Sequence, residues 1–173
     1  MRDQDWSLDW VVPQNQCDLY GFCGPFGVCK VAESPICKCL KGFEPKSFED
    51  WSRGNWTSGC ARQKELVCER NTISTDLNKG KRDGFKKMGK IKLPDFYEYM
   101  ITEYEEVESC QIWCQNNCSC LAFSYVDGIG CLVWSKELVD IQEFPFGGED
   151  LFIRLAHAEL GKISSFLFKR YAI

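Results

Sequence analysis

The sequence predicts a small disulfide-rich fold in two parts: the first little more than turns and staples, the second one helix on an antiparallel sheet. Three observations predict it: twelve cysteines in 173 residues, their division into two groups of six, and a change of hydrophobic pattern between the groups. Thiols at this density are a redox liability in a reducing compartment, whereas an even count in an oxidising one closes into bridges that replace a large apolar interior. Six disulfides are therefore expected, each stabilising its part by about 2 to 4 kcal/mol through restriction of the unfolded chain.

The first group is Cys17, Cys23, Cys29, Cys37, Cys39 and Cys60, with Gly21, Gly24, Gly27 and Gly42 among them. That leaves room only for short elements, so this part depends on its staples. Cys68, Cys110, Cys114, Cys118, Cys120 and Cys131 form the second group. The polar segment from Asn71 to Gly84 reads as a surface loop inside the second part, and Phe85, Ile91 and Leu93 as a strand or two. Thr102 to Asn116 predicts a helix, with Thr102 and Glu105 as a capping box and acids in its first turn. Val107, Cys110, Trp113 and Cys114 recur at helical spacing and turn two cysteines toward a core. Leu121 to Val126, Cys131 to Ser135 and Leu151 to Leu155 are short apolar or alternating runs bounded by glycine, which predicts strands.

Several chemistries are excluded by what the chain lacks. Zinc sites want paired clusters such as C-x-x-C, but the close pairs here are C-x-C and the one histidine, His157, lies far from either. Oxidised cysteines offer no thiolate nucleophile, and Gly21, Gly24 and Gly27 do not lie between a strand and a helix as a phosphate loop requires. No catalytic residue, cofactor or metal is expected. Calcium-binding modules of this size supply side-chain oxygens ahead of the first cysteine; Asn15 and Gln16 fit, whereas Pro13 brings none. Met1 to Asp9 does not read as a secretory signal, and the apolar run near the C-terminus falls short of the roughly 20 residues that span a bilayer. Cysteine content that requires export, without an export signal, predicts a piece of a larger protein or a truncated gene product.

Charge is distributed in two adjoining blocks. Lys79, Lys81, Arg82, Lys86, Lys87, Lys90 and Lys92 are followed by Asp95, Glu98, Glu103, Glu105, Glu106 and Glu108. An extracellular disulfide-bonded chain makes nucleic acid a poor partner for the basic block. Lys86, Lys87 and Lys90 are instead candidate contacts for an acidic peptide, a cell-wall polysaccharide or the acidic face of a second copy. Trp51, Trp56 and Phe146 are alternative contact points, although aromatics in small cysteine-rich modules commonly cover a disulfide. Two sequons, Asn55-Trp56-Thr57 and Asn117-Cys118-Ser119, mark candidate glycosylation sites at Asn55 and Asn117.

CDLYGFCGPFGVC (Cys17 to Cys29), CKCLKGFEPK (Cys37 to Lys46) and GCAR (Gly59 to Arg62) resemble the EGF-like module of plant S-domain (G-type lectin) receptor-like kinases and S-locus glycoproteins. KMGKIKLPDF (Lys87 to Phe96), ESCQIWCQNNCSCLAFSY (Glu108 to Tyr125), GCLVWSKELVDI (Gly130 to Ile141) and GGEDLFIRLA (Gly147 to Ala156) resemble the PAN, or apple, domain that follows it. WSLDWVVPQNQC (Trp6 to Cys17) is similar to the end of the S-locus glycoprotein domain. The resemblance implies a remnant of that domain over residues 1–15, an EGF-like module over 16–62, an α+β PAN/apple domain over 63–156 and a divergent tail over 157–173.

It also implies pairing of Cys17 with Cys29, Cys23 with Cys37, Cys39 with Cys60, Cys110 with Cys131, Cys114 with Cys120 and Cys68 with Cys118. The lectin-like domain, membrane helix and serine/threonine kinase of a complete receptor are not in these residues, so kinase activity is not expected of this polypeptide. The function implied is extracellular or apoplastic recognition at the plasma membrane. Its forms are protein or carbohydrate binding, homo- or hetero-association with S-domain receptors, and a family role in the recognition of pollen. The alternative is a truncated receptor-kinase product with no independent function.

Overall fold

The computed structural model describes residues 13–69, 82–100 and 106–161, and the side chains of Tyr99 and Met100 lie outside that description. The first part opens on a 3-10 turn, Gln16–Asp18, whose cap is reciprocal: Asn15 Oδ1 accepts from the Cys17 amide at 2.8 Å, and Asp18 Oδ2 accepts from the Asn15 amide at 3.1 Å. Strand β1 (Gly27–Cys29) pairs antiparallel with β2 (Cys37–Cys39), and β3 (Phe43–Pro45) with β4 (Cys60–Arg62). A short helix, α1 (Phe48–Ser52), lies between β3 and β4, its Asp50 amide held by the Ser47 hydroxyl at 3.2 Å.

The remaining strands are β5 (Gly84–Lys92), β6 (Glu98–Met100), β7 (Ala122–Val126), β8 (Gly130–Trp134), β9 (Ile141–Glu143) and β10 (Glu149–Leu155). They join the first hairpin in one sheet of order β2-β1-β9-β5-β10-β7-β8-β6. Every pairing is antiparallel except that of β1 with β9, where Val28 lies beside Ile141 and Cys29 beside Gln142. Phe85 and Ile91 thus lie on one nine-residue strand, interrupted by a bulge near Gly89. Two strands of three residues, β6 and β9, carry too few alternating positions for a periodicity to announce them.

Helix α2 (Val107–Asn116) begins five residues later than the Thr102 start that the sequence predicts. Glu106, extended at φ −139°, takes the N-cap position without a side-chain bond. Pairing of β6 with β8 holds the backbone extended through Met100. Thr102 and Glu105 lie outside the described residues, as do residues 71–81 of the expected loop from Asn71 to Gly84, whose last residue opens β5.

One apolar core runs through both parts. Val28, Leu40 and Phe43 from the first are buried with Ile91, Trp134, Leu138, Ile141, Leu151, Ile153 and Leu155 from the second. Each such side chain contributes about 1.5 to 3 kcal/mol, and this shared cluster adds to a disulfide-centred cluster within each part. Gly42, at φ +81°, sits so close to β10 that a Cβ there would lie 2.8 Å from Leu155 Cδ2. The folded chain also passes the expected boundary at residue 156. A last helical turn, α3 (His157–Leu160), lays Leu160 against β5 because Gly84 leaves the space for it.

Polar groups stitch the same seam. The Gly21 amide donates to Asp140 Oδ1 at 2.9 Å, and the Phe26 amide to the Leu138 carbonyl at 2.8 Å. Lys46 Nζ lies 3.2 Å from Glu137 Oε1. The six disulfides join residues within 17–60 or within 68–131, so the seam is closed without a covalent link.

Candidate recognition surface

The structure joins Cys17 to Cys29, Cys23 to Cys37 and Cys39 to Cys60 in the first part. In the second it joins Cys68 to Cys118, Cys110 to Cys131 and Cys114 to Cys120. Cys110 and Cys114 lie one turn apart on the buried face of α2, so a single helix is tied both to β8 and to the residue that leads into β7. The Cys23, Cys29 and Cys37 sulfurs lie within 4.8 Å of one another, a spacing that would suit a metal if they were thiolates. All three are oxidised, which leaves no anionic ligand. Trp51 and Trp56 pack on these disulfides, whereas Phe146 is 87% exposed. Asn15, the residue that best fits a calcium ligand, spends its side-chain oxygen on the 3-10 turn.

Three charged residues buried among the described residues, Arg154, Asp83 and Glu159, escaped the sequence reading. Arg154 is only 1% exposed, yet its guanidinium donates to three carbonyls at the end of α2: Gln115 at 2.8 Å, Asn117 at 2.8 Å and Cys120 at 3.1 Å. A cation at a helix C-terminus meets the negative end of the dipole and satisfies carbonyls that the helix itself leaves unpaired. Asp83, also buried, accepts from the Val67 amide at 2.9 Å and the Cys68 amide at 3.2 Å, which fixes the turn bearing the Cys68–Cys118 bridge. Burial pushes the Arg154 and Arg62 guanidiniums below the ordinary arginine range, while Asp83 and Glu69 pull in the opposite direction. An alternating strand with one arginine in it gives no warning that the arginine faces inward.

Lys86 and Lys87 do not share one face. On β5, Lys86 stands beside Ile153 and Lys87 beside Phe152, so the two point to opposite faces of the sheet. Lys87 Nζ lies 2.5 Å from Asp150, Lys92 bonds the Asp140 carboxylate, and Lys90 donates to the Pro145 carbonyl at 3.2 Å. Among the described residues, acids from β10 and the turn before β9 thus take up the charge of Lys87 and Lys92.

Two features remain on the surface. A cleft of about 320 Å³ opens beside the parallel pairing, between Lys30, Val31 and Glu33 on one side and Glu143, Phe144 and Pro145 on the other. Its floor is charged: Lys30 Nζ lies 2.7 Å from Glu143 and 3.2 Å from Glu33. Burial alone would lower the Lys30 pKa, but the two carboxylates outweigh it and hold the amine above the ordinary lysine value of 10.5. The second feature is the corner between β5 and β6, where Phe96 and Tyr97 are 71% and 54% exposed.

Both sequons adopt the same turn. Thr57 Oγ1 donates to Asn55 Oδ1 at 2.8 Å, and Ser119 Oγ to Asn117 Oδ1 at 2.8 Å. Asn55 is exposed, while Asn117 is half-buried at the end of α2 with its carbonyl held by Arg154.

One long helix and two short ones with a mostly antiparallel sheet, stapled by six disulfides, place the chain in the small disulfide-rich PAN/apple class. Residues 68–141 match a family model described as a PAN-like domain, and residues 1–47 match one described as an S-locus glycoprotein domain. The chain is thus similar, in this order, to the S-locus glycoprotein and PAN-like region of G-type lectin S-receptor-like kinases. Three G-type lectin S-receptor-like serine/threonine-protein kinases of Arabidopsis thaliana are 52%, 54% and 53% identical to it, over 91%, 90% and 91% of this chain. The chain spans only 18%, 19% and 19% of those relatives' length, and neither matching model is a catalytic domain. No helix among the described residues is long and apolar enough to cross a membrane.

Proposed function

We infer that this chain is a non-catalytic extracellular recognition module that works by binding a protein or carbohydrate and by associating with S-domain receptors. The observation that carries the reading is the seam. Identity of about half over nine-tenths of the chain covers both parts together, and the shared core makes those parts one binding body. Oxidation of all the cysteines supports a site of action outside the reducing cytosol. Discrimination of pollen is the most specific form of the same reading. We further assign N-glycosylation to Asn55 ahead of Asn117, because Asn55 is exposed and its carbonyl bears no structural load.

The chain is to be expressed through an oxidising secretory route and presented to full-length S-domain receptors on plant cells. Co-precipitation of the oxidised chain with such a receptor is the expected result. A chain that is recovered from plant tissue only in the cytosol, with free thiols, would refute the reading. Glycosidase treatment of Asn55→Gln and Asn117→Gln variants tests the modification, with loss of the mobility shift expected for the first alone.

A further inference from the structure

The corner between β5 and β6 carries an exposed aromatic pair that the fold goes to some cost to hold in place. Phe96 has φ +61°, a left-handed conformation that costs a bulky L-residue about 1 to 2 kcal/mol. It is nonetheless pinned on every side. Trp134, 1% exposed, donates from Nε1 to the Pro94 carbonyl at 3.2 Å and the Asp95 carbonyl at 3.0 Å. The Asp95 amide donates to the Val139 carbonyl at 3.1 Å. Tyr97 packs edge-on to Trp134 with ring centroids 6.3 Å apart, and Ser135 Oγ donates to Glu98 Oε1 at 2.7 Å. Strained residues persist only where their surroundings over-determine them, and such sites concentrate at ligand contacts. A rigid aromatic contact also loses little entropy when a partner arrives.

Charge selects the partner. The exposed carboxylates of Asp95 and Glu98 flank the two rings, and among the described residues neither forms an ion pair with a lysine or arginine. Aromatic faces and carboxylates both attract cations. Among the described residues strand β6 is the last in the sheet, and an edge strand offers backbone groups to an extended segment. We propose that Phe96, Tyr97, Asp95 and Glu98 form a docking corner for a lysine- or arginine-rich extended segment of a protein partner. The proposal rests on the reading of the chain as a recognition module and names the chemistry of its partner.

The test uses the full oxidised chain and a fluorescent peptide alternating lysine with valine, against a glutamate–valine peptide and neutral cell-wall oligosaccharides. Saturable binding of the lysine peptide is expected, weakened at least about tenfold in Phe96→Asn. Asparagine tolerates the left-handed backbone, so the thermal midpoint of that variant is to hold or rise while affinity falls, which a purely structural phenylalanine would not show. Reversing the charge at Asp95→Lys with Glu98→Lys is to abolish binding. Equal binding of the glutamate peptide, preference for an oligosaccharide, or a Phe96→Asn variant that loses stability but keeps its affinity would each overturn the proposal. If the wild-type chain still co-precipitates with a receptor while the lysine peptide fails to bind, the docking corner falls and the recognition reading stands.

Discussion

Arg62 donates from Nη1 to the backbone carbonyl of Arg154 at 2.7 Å, so two partly desolvated arginines meet head to tail across the seam. The Arg154 guanidinium points away, into the carbonyls that end α2. Replacement Arg154→Met leaves those carbonyls without donors and is expected to cost about 3 kcal/mol, against about 1 kcal/mol for Arg62→Met. Denaturant unfolding of the oxidised variants measures both, and equal costs would show that Arg154 is not the anchor of the helix end.

Asp140 holds the other side of the seam. It has φ +67°, accepts from Gly21 and bonds Lys92. Asp140→Asn keeps the left-handed tolerance and the acceptor and should change stability by about 0.5 kcal/mol, whereas Asp140→Ala loses both and should cost about 2 kcal/mol. Amide exchange on β1 and β9 is the readout, with faster exchange confined to these strands in the alanine variant.

The disulfides differ in the length of chain they close. Cys68–Cys118 spans 50 residues and Cys114–Cys120 spans 6. Chain entropy alone gives about 4 kcal/mol for the first and about 2 kcal/mol for the second. Paired Cys→Ala variants compared by thermal unfolding check the order, and the short bridge proving the more costly would point to strain or packing instead.

The cleft floor responds to alkali. Lys30 has a folded pKa above 10.5, so its pairing with Glu143 and Glu33 stabilises the fold fully below that value and fades as pH rises through the folded pKa. The stability difference between the chain and Lys30→Met is expected to be constant from pH 6 to 9 and to shrink above about pH 10.5. A difference that shrinks on acidification from pH 9 to 6 would contradict this sign.

Composition and pattern made the two-part cysteine division, the one long helix and four of the strands readable, β5 among them through Phe85 and Ile91. Leu121 to Val126, Cys131 to Ser135 and Leu151 to Leu155 each appear within a residue or two as β7, β8 and β10. The seam was hidden because no local rule announces it. Val28 and Ile141 are ordinary apolar residues in three-residue strands, and only their shared burial reveals the parallel pairing. The inward turn of Arg154 and the exposed rings of Phe96 and Tyr97 were likewise invisible, since each depends on distant carbonyls or on Trp134 rather than on its neighbours. Lys86 and Lys87 looked like one site because adjacency in sequence hides the alternation of a strand.

The parallel pairing also bears on the order in which the chain is made. Gly21 and Asp140 are 119 positions apart, an interval that translation covers in roughly 6 to 24 seconds at about 5 to 20 residues per second. For most of that wait Val28, Leu40 and Phe43 have been synthesised, while Ile141, Leu151, Ile153 and Leu155, which will cover them, have yet to follow. The nascent amino-terminal part therefore presents a greasy flank to its surroundings, guarded only by whichever of its own bridges have already closed.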